Sequence, residues 1–244
     1  MARNRGISRA AGEFISFIDS DDLWSCDKLQ AQVDALQQRE GDVAYSWTSY
    51  LSQGKAEAVP GRRNFFEGNI YAELLKKNVV ASGSNILART ELIREVGGFD
   101  PTFPQCADWD LCLRLAARCR FALVPKHQIF YRVWPNSMTS NQIDEMERQC
   151  LLMLEKTYRS APAEYQRLKR RSVHWVYEYC TERYLQGTTR LHPLAATRTL
   201  CMAVQSQPLT ILHRHTQRLV LKLLKFWFVA LKNALRFGTE SFDH

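Results

Sequence analysis

The chain has 244 residues, of which 45% are hydrophobic and 24% charged, a composition that is typical of globular proteins and excludes extensive disorder. Its formal net charge of +8 favours anionic partners such as nucleotide phosphates or acidic lipid headgroups. Seven cysteines without CxxC spacing exclude a recognisable zinc site and indicate a reduced, cytoplasmic compartment. The first residues carry positive charge but no apolar stretch, so they are not expected to act as a signal peptide, and the sequence has no run of 18 apolar residues.

Short helices and strands alternate over the first part of the chain. Residues 2–11 predict an arginine-rich helix end, and residues 14–18 predict an apolar strand. A helix is predicted over residues 25–38 and a strand over residues 42–51. Glycines and a proline between residues 52 and 68 predict a loop there.

The same alternation continues to residue 133. Thr90 is predicted to cap a helix, and Gly97-Gly98 to end it. The predicted elements are a helix over 69–77, a strand over 84–88, helices over 90–95 and 108–118, and strands over 121–124 and 128–133. This alternation predicts an α/β sheet. We place a domain boundary near residue 141, which separates residues 1–141 from a helical region over 142–244.

Three carboxylates follow the strand over residues 14–18, at Asp19, Asp21 and Asp22. Ligands bind outside strand ends in open α/β sheets, and carboxylates bind Mg²⁺ or Mn²⁺ together with substrate phosphates. The alternative is a turn whose aspartates cap the following helix. The local pattern alone favours neither.

A second acidic position, Asp108, lies where the helix over 108–118 begins. Unpaired N–H groups and the helix dipole stabilise a carboxylate there, as a general base requires. The alternative for Asp108 is a simple helix cap, which the pattern alone favours. Trp109 is either a stacking platform for a sugar ring or a core residue, and the pattern favours the core.

Four segments, taken in order, resemble the family 2 glycosyltransferases of the GT-A fold. They read ARNRGISRAAGEFISFIDSDDLW (2–24), GSNILARTELIREVGGFD (83–100), ADWDLCLRLA (107–116) and FYRVWPNSMTSN (130–141). The resemblance implies an incomplete GT-A, Rossmann-like sheet with a C-terminal helical region. It also implies a metal-dependent, inverting enzyme that moves a sugar from a nucleotide-sugar donor to an acceptor hydroxyl, in cell-surface polysaccharide or glycolipid synthesis.

The resemblance also assigns roles to residues. Asp19 and Asp21 match the DxD motif that holds the ribose and the Mg²⁺ or Mn²⁺ ion, and Asp108 matches the base that deprotonates the acceptor. The two acidic centres are therefore expected to face one cleft. The other matched positions are Arg3, Asn4, Arg5 and Asp22 beside the donor, and Ser84, Asn85, Trp109 and Arg114 toward the acceptor.

Family members begin with strands and a helix that bind the nucleotide base and ribose. About two βαβ units, or roughly 60–90 residues, are therefore expected ahead of Ala2, so that this chain is an N-terminally truncated form. The strand over 14–18 then lacks neighbours and exposes a sheet edge, which predicts poor solubility and weak catalysis. The alternative function is an inactive remnant that binds a membrane or another partner.

The last notable pattern is a basic amphipathic helix over residues 209–237. Six basic side chains share an arc of about 80°, and the rest of the helix is largely apolar. They are Arg214, Arg218, Lys222, Lys225, Lys232 and Arg236. Such a helix suits the inner face of the cytoplasmic membrane. The family resemblance implies an acceptor that is a saccharide or is lipid-linked. The alternative is a helix packed on the catalytic domain. Because the charges do not form a polar groove interleaved with aromatic residues, no nucleic-acid partner is expected.

Overall fold

A computed structural model describes residues 2–52, 54, 57–134, 142–186 and 192–239, with side chains described as far as Val229. The predicted boundary at residue 141 and most of the segment 130–141 therefore lie outside the described residues. The basic side chains predicted at Lys232 and Arg236 also lie outside them.

Within the described residues, six strands form one mixed sheet in the order β1-β5-β3-β6-β2, with β4 beside β3. The strands are β1 (Phe14–Ser16), β2 (Leu23–Trp24), β3 (Val43–Ser52), β4 (Val59–Pro60), β5 (Leu87–Arg89) and β6 (Phe121–Val133). The central pair β3 and β6 is parallel, whereas the other pairs are antiparallel. β3 is almost wholly buried and rich in β-branched and aromatic residues, as a central strand requires.

Two sequence predictions about strands are wrong in part. The two strands predicted over 121–124 and 128–133 form one strand, β6, because pairing with the long β3 continues across Pro125. Pro125 cannot donate a ladder hydrogen bond, so the register jumps there and a bulge forms. The loop predicted over 52–68 contains β4, which pairs with the end of β3.

In the described part of the chain, one short helix precedes β1, four more lie between the strands, and a helical region follows β6. The first set is α1 (Ala2–Arg9), α2 (Lys28–Arg39), α3 (Tyr71–Lys76), α4 (Thr90–Glu95) and α5 (Ala107–Ala116). The later helices are α6 (Ile143–Ser160), α7 (Lys169–Gln186), α8 (Pro193–Ser206) and α9 (Arg214–Thr239), with 3₁₀ turns at Ala163–Leu168 and Pro208–Leu212. The helical character predicted after residue 142 is confirmed.

Helix α4 shows how the local signals act. Its bounds match the prediction, and Gly97 and Gly98 end it with φ values of 82° and 65°, a backbone conformation that glycine adopts without strain. The predicted cap at Thr90 is wrong, because Thr90 is the first helical residue and its hydroxyl donates to the carbonyl of Gly12. This bond fastens α4 to the start of β1.

One hydrophobic cluster includes residues on both sides of the predicted domain boundary. Trp109 of α5 is fully buried, and its ring meets Trp175 of α7 edge to face, with 5.0 Å between centroids. Ser172 of α7 donates a 2.6 Å hydrogen bond to the carbonyl of Leu75 in α3. The helical region therefore covers α3 and α5, while the division into two domains stays a prediction.

Helix α9 has one packed face and one exposed face. Leu219 and Leu223 are buried, whereas the side chains of Leu221, Leu224 and Phe228 are 58%, 60% and 70% exposed. In the part of the chain that the structure describes, no helix is long and apolar enough to cross a bilayer.

Candidate active site

A cleft of about 960 Å³, called here the central cleft, opens between the sheet, α5 and the helical region. Among the predicted site residues, Arg3, Asp19, Asp108 and Trp109 line it. The structure thus places Asp19 and Asp108 on one cleft, whereas Asp21 and Asp22 do not line it. The other predicted residues lie outside its lining.

Asp19 lies three residues beyond the end of β1 and is fixed through both its backbone and its side chain. Its backbone N–H donates to the hydroxyl of Ser84, at 3.0 Å. Its carboxylate accepts a hydrogen bond from the Arg3 guanidinium, with which it forms an ion pair. Arg3 also lies over the ring of Phe99, 5.1 Å from its centroid. The Asp19 carboxylate therefore lines the central cleft while it is paired with the guanidinium of Arg3.

Asp108 lies in the first turn of α5, as predicted, but the residue at the N-cap is Cys106. One carboxylate oxygen of Asp108 accepts from the Asn78 side chain at 3.1 Å, and the other from the Trp109 backbone N–H at 2.8 Å. These two donors fix the carboxylate's orientation. Asp108 is not the N-cap residue, because Cys106 occupies that position, although its bond from Trp109 satisfies an otherwise unpaired amide of the first turn. The role of Asp108 as a base stays a prediction.

The pKa of Asp108 is raised above its usual value. Burial is the main cause, and the hydrogen bonds from Asn78 and Trp109 and the charge of Arg3 oppose it. Because Arg3 pairs with Asp19 and also acts on Asp108, it links the two acidic centres electrostatically. A carboxylate with a raised pKa accepts a proton more readily than an ordinary aspartate does.

Asp22 and Ser84 anchor the acidic turn, which comprises residues 19–22. The Asp22 carboxylate is buried and accepts from the Ser84 hydroxyl at 2.6 Å and from the Arg132 backbone N–H at 3.1 Å. Burial raises its pKa, and these hydrogen bonds oppose the shift. Asp21 is exposed, and its carbonyl accepts from the Arg132 side chain. Asp22 and Ser84 thus hold the turn against β6 and do not reach the central cleft.

Three further predicted residues are committed to internal contacts. The Asn85 amide is fully buried and bonds the backbone of Ser46 and Val80. Asn4 donates to and accepts from the backbone of Phe99, and Arg114 bonds Asp110 and the carbonyl of Val96. These residues support the walls of the cleft, whereas the family resemblance predicted that they would contact the donor or the acceptor. Arg5 is exposed on α1, outside the lining of the cleft.

Trp109 follows the interpretation that the local pattern favoured. Its indole N–H donates to the carbonyl of Leu74 at 2.8 Å, and its ring is fully buried against Trp175. Trp109 is part of the wall of the central cleft, and its buried ring is not free to stack on a sugar. Its position next to Asp108 anchors the start of α5.

The acidic turn, residues 19–22, carries carboxylates that are candidate ligands for a divalent cation. Among the described residues, no group of three or more Asp, Glu, His or Cys side chains is arranged so that it could hold a metal ion. Asp19 and Asp21 nevertheless provide carboxylate oxygens close together in the chain, and hard cations such as Mg²⁺ bind one or two carboxylates plus the phosphates of a substrate. The chemistry of these donors fits Mg²⁺ or Mn²⁺.

Sequence reasoning missed two parts of the cleft. Asn78, which orients Asp108, carries no local signal, because the contact joins residues 30 positions apart. One face of α7 also lines the cleft. The available signal was the spacing of its residues at intervals of three and four, which places them on one side of a helix.

Comparison with known proteins gives a family match and two similar proteins of known sequence. The family model described as "Glycosyltransferase like family 2" matches residues 1–183. The amylovoran biosynthesis glycosyltransferase AmsB of Erwinia amylovora is 32% identical over 119 residues, which are 46% of this chain and 39% of AmsB. The UDP-Glc:alpha-D-GlcNAc-diphosphoundecaprenol beta-1,3-glucosyltransferase WfgD of Escherichia coli is 27% identical over 155 residues, 61% of this chain and 56% of WfgD. The chain thus spans roughly half the length of these relatives or less.

A solved structure shows the same fold. The mannosyltransferase PcManGT of Pyrobaculum calidifontis, in complex with GDP-Man and Mn²⁺, superposes with a TM-score of 0.52 at 17% identity, covering 96% of this chain and 65% of that one. The expected GT-A-type α/β sheet with a C-terminal helical region is confirmed. The sheet is mixed, with several antiparallel pairs.

Proposed function

The chain belongs to the glycosyltransferase like family 2, and on that premise we propose that it transfers a sugar from a nucleotide-sugar donor to an acceptor hydroxyl. The observation that carries the proposal is the arrangement of Asp19, Arg3 and Asp108 around the central cleft. Family membership and the names of AmsB and WfgD support the same reaction class. The alternative of an inactive remnant has no comparable observation in its favour.

The donor side of the cleft is assigned to Arg3 and the acidic turn. A guanidinium binds diphosphate oxygens through charge-assisted hydrogen bonds, and Arg3 is held in place by Asp19 and Phe99. Asp19 and Asp21 would hold the Mg²⁺ or Mn²⁺ ion, which when bound supplies charge neutralisation for the departing diphosphate. Asp21 in the acidic turn and Arg5 in α1 are both exposed at the surface.

The acceptor side is assigned to Asp108. As the acceptor oxygen bonds to the anomeric carbon, the bond from that carbon to the diphosphate breaks on the opposite face, which inverts the configuration. The acceptor's proton passes to Asp108, whose raised pKa and two fixed hydrogen bonds suit this role. The rigid walls contribute by positioning the two reactants.

We further propose that the acceptor is a saccharide, free or lipid-linked, in cell-surface polysaccharide or glycolipid synthesis. WfgD is named for a lipid-diphosphate acceptor, and α9 exposes apolar side chains next to Lys222 and Lys225. Such a face suits peripheral contact with the inner, anionic face of the cytoplasmic membrane.

The test is a transfer assay on the full chain with UDP-glucose, UDP-N-acetylglucosamine and GDP-mannose as donors. Asp108→Asn is expected to lower kcat by about 10² to 10⁴-fold while donor binding by calorimetry stays unchanged. Asp34→Asn on α2, outside the cleft, is the control and should behave as the wild type. Full turnover in the Asp108→Asn variant would contradict the assignment of the base.

Donor binding also tests the acidic turn. Chelation with EDTA should weaken binding to the wild type and have little further effect on Asp21→Asn, because that variant lacks a cation-binding carboxylate. If EDTA lowered the donor affinity of both proteins equally, Asp21 would not be a ligand of the cation.

A further inference from the structure

One face of α7 forms a wall of the central cleft. Its residues follow at intervals of three and four, and such positions share one side of a helix. The α7 face consists of Trp175, Glu178, Tyr179, Glu182, Arg183 and Gln186, all in the cleft lining. Along the helix axis these positions span about 16 Å. The face therefore presents an extended row of aromatic and polar groups to whatever occupies the cleft.

Tyr179 is held in a fixed orientation within this row. Its ring stacks on Trp175 with 5.3 Å between centroids and 11° between planes, and Trp175 in turn packs on Trp109. Two tyrosines from the sheet, Tyr50 and Tyr131, also line the cleft, with their centroids 6.0 Å apart. Burial is the main cause of a raised pKa at Tyr179, and both tyrosines are near enough to add to it. Aromatic residues of three elements thus converge at one place.

The polar groups of the α7 face divide into anchored and available ones. Glu178 is anchored, because one of its carboxylate oxygens accepts a 3.0 Å hydrogen bond from Thr216 of α9. Glu182 accepts from Gln186 at 3.2 Å and keeps further lone pairs. Within the described part of the chain, the Tyr179 hydroxyl has no hydrogen-bond partner. Tyr179 and Glu182 can therefore bond a ligand without first breaking a strong internal contact.

We infer that the α7 face is the subsite that binds the acceptor saccharide, with Tyr179 and Glu182 as its main specificity-determining residues. This inference rests on the proposed function. A pyranose ring has an apolar C–H face and a rim of hydroxyls, which match an aromatic surface flanked by a carboxylate. The α7 face adjoins Asp108 through the Trp109–Trp175 contact, whereas the donor's diphosphate is assigned to Arg3. An acceptor bound on the α7 face would therefore place a hydroxyl group near Asp108, the proposed base.

The test separates acceptor binding from donor binding. Tyr179→Phe and Glu182→Gln are each expected to raise the acceptor KM about tenfold, the effect of losing one good hydrogen bond. The donor KM and the slow hydrolysis of donor by water should stay at wild-type values. Tyr177→Phe, on the same helix but outside the cleft lining, is the matched control. Methyl and octyl glycosides are compared as acceptors, so that the ratio of their KM values distinguishes a free saccharide from a lipid-linked one.

An unchanged acceptor KM in both variants would overturn the inference, as would a parallel rise in the donor KM. If the wild type transfers no sugar at all, the proposed function fails, and the subsite is then judged by binding alone. Methyl glycosides should change the tryptophan fluorescence of the wild type, since Trp175 stacks on Tyr179, and Tyr179→Phe should weaken that binding. Absence of binding, or equal binding by the variant, would overturn the subsite.

Discussion

Lys28 is a fully buried lysine beneath the acidic turn, and replacing it should change how stability depends on pH. Its ammonium group donates a 2.6 Å hydrogen bond to Ser16 and lies 3.9 Å from the ring centroid of Trp24. Burial lowers the pKa of Lys28 from 10.5 to about 7. The indole of Trp24 donates to the carbonyl of Ser84, so this lysine lies in the packing that holds Asp19 and Asp22.

The direction of the effect follows from the two pKa values. In the unfolded chain Lys28 keeps its proton up to a pH of about 10.4, whereas the folded state releases it near pH 7. Between these values the unfolded state binds more protons, so the free energy of unfolding rises with pH. The difference between the two pKa values corresponds to about 5 kcal/mol in the free energy of unfolding. About 2 kcal/mol of this stability is gained as the pH rises from about 7 to about 9.

The assay is urea unfolding of the wild type and Lys28→Met at pH 7 and pH 9, under reducing conditions. Methionine keeps much of the side-chain volume and removes the charge, and Ser16 keeps its bond to the carbonyl of Ile86. The wild type should therefore gain about 2 kcal/mol relative to Lys28→Met as the pH rises. Lys126→Met, at an exposed lysine, should follow the wild type. Parallel pH dependence in all three proteins would refute the reasoning.

Two further predictions concern α1 and α9. Asn4→Ala should lower the free energy of unfolding by about 1–3 kcal/mol, because the backbone of buried Phe99 loses both its partners. Exposed Arg5→Ala is the control, expected within about 0.5 kcal/mol of the wild type, and equal melting temperatures for the two variants would contradict the prediction. Leu224→Glu combined with Phe228→Glu should abolish co-sedimentation with phosphatidylglycerol vesicles, since both side chains are exposed on α9. Exposed Gln217→Glu should retain binding, and a wild type that fails to sediment would exclude membrane contact through this face.

Local sequence signals predicted the elements well where local chemistry decides them. Gly97 and Gly98 marked the end of α4, and the apolar periodicity of α5 placed Asp108 in its first turn. The signals failed where a neighbouring strand decides the structure. β6 continues across Pro125 because β3 is long enough to pair on both sides of it, and no local pattern around Pro125 carries that information.

The candidate site was predictable in part, for the same reason. The family resemblance identified Asp19 and Asp108, which line one cleft. It also pointed to Asn85 and Asp22, but the structure shows that their polar atoms bond protein groups beneath the surface. A motif indicates which residues belong to a site, but it does not separate those that touch a ligand from those that support the others. The α7 face escaped notice because its contacts with α5 join distant parts of the chain.

The contact between Trp109 and Trp175 has a consequence for biosynthesis. The two residues are 66 positions apart, and ribosomes add about 5–20 residues per second. Trp109 is therefore synthesised several seconds before Trp175, whose ring covers its indole. During that interval the nascent polypeptide displays a large apolar surface, which makes it a natural client for chaperones that bind emerging chains.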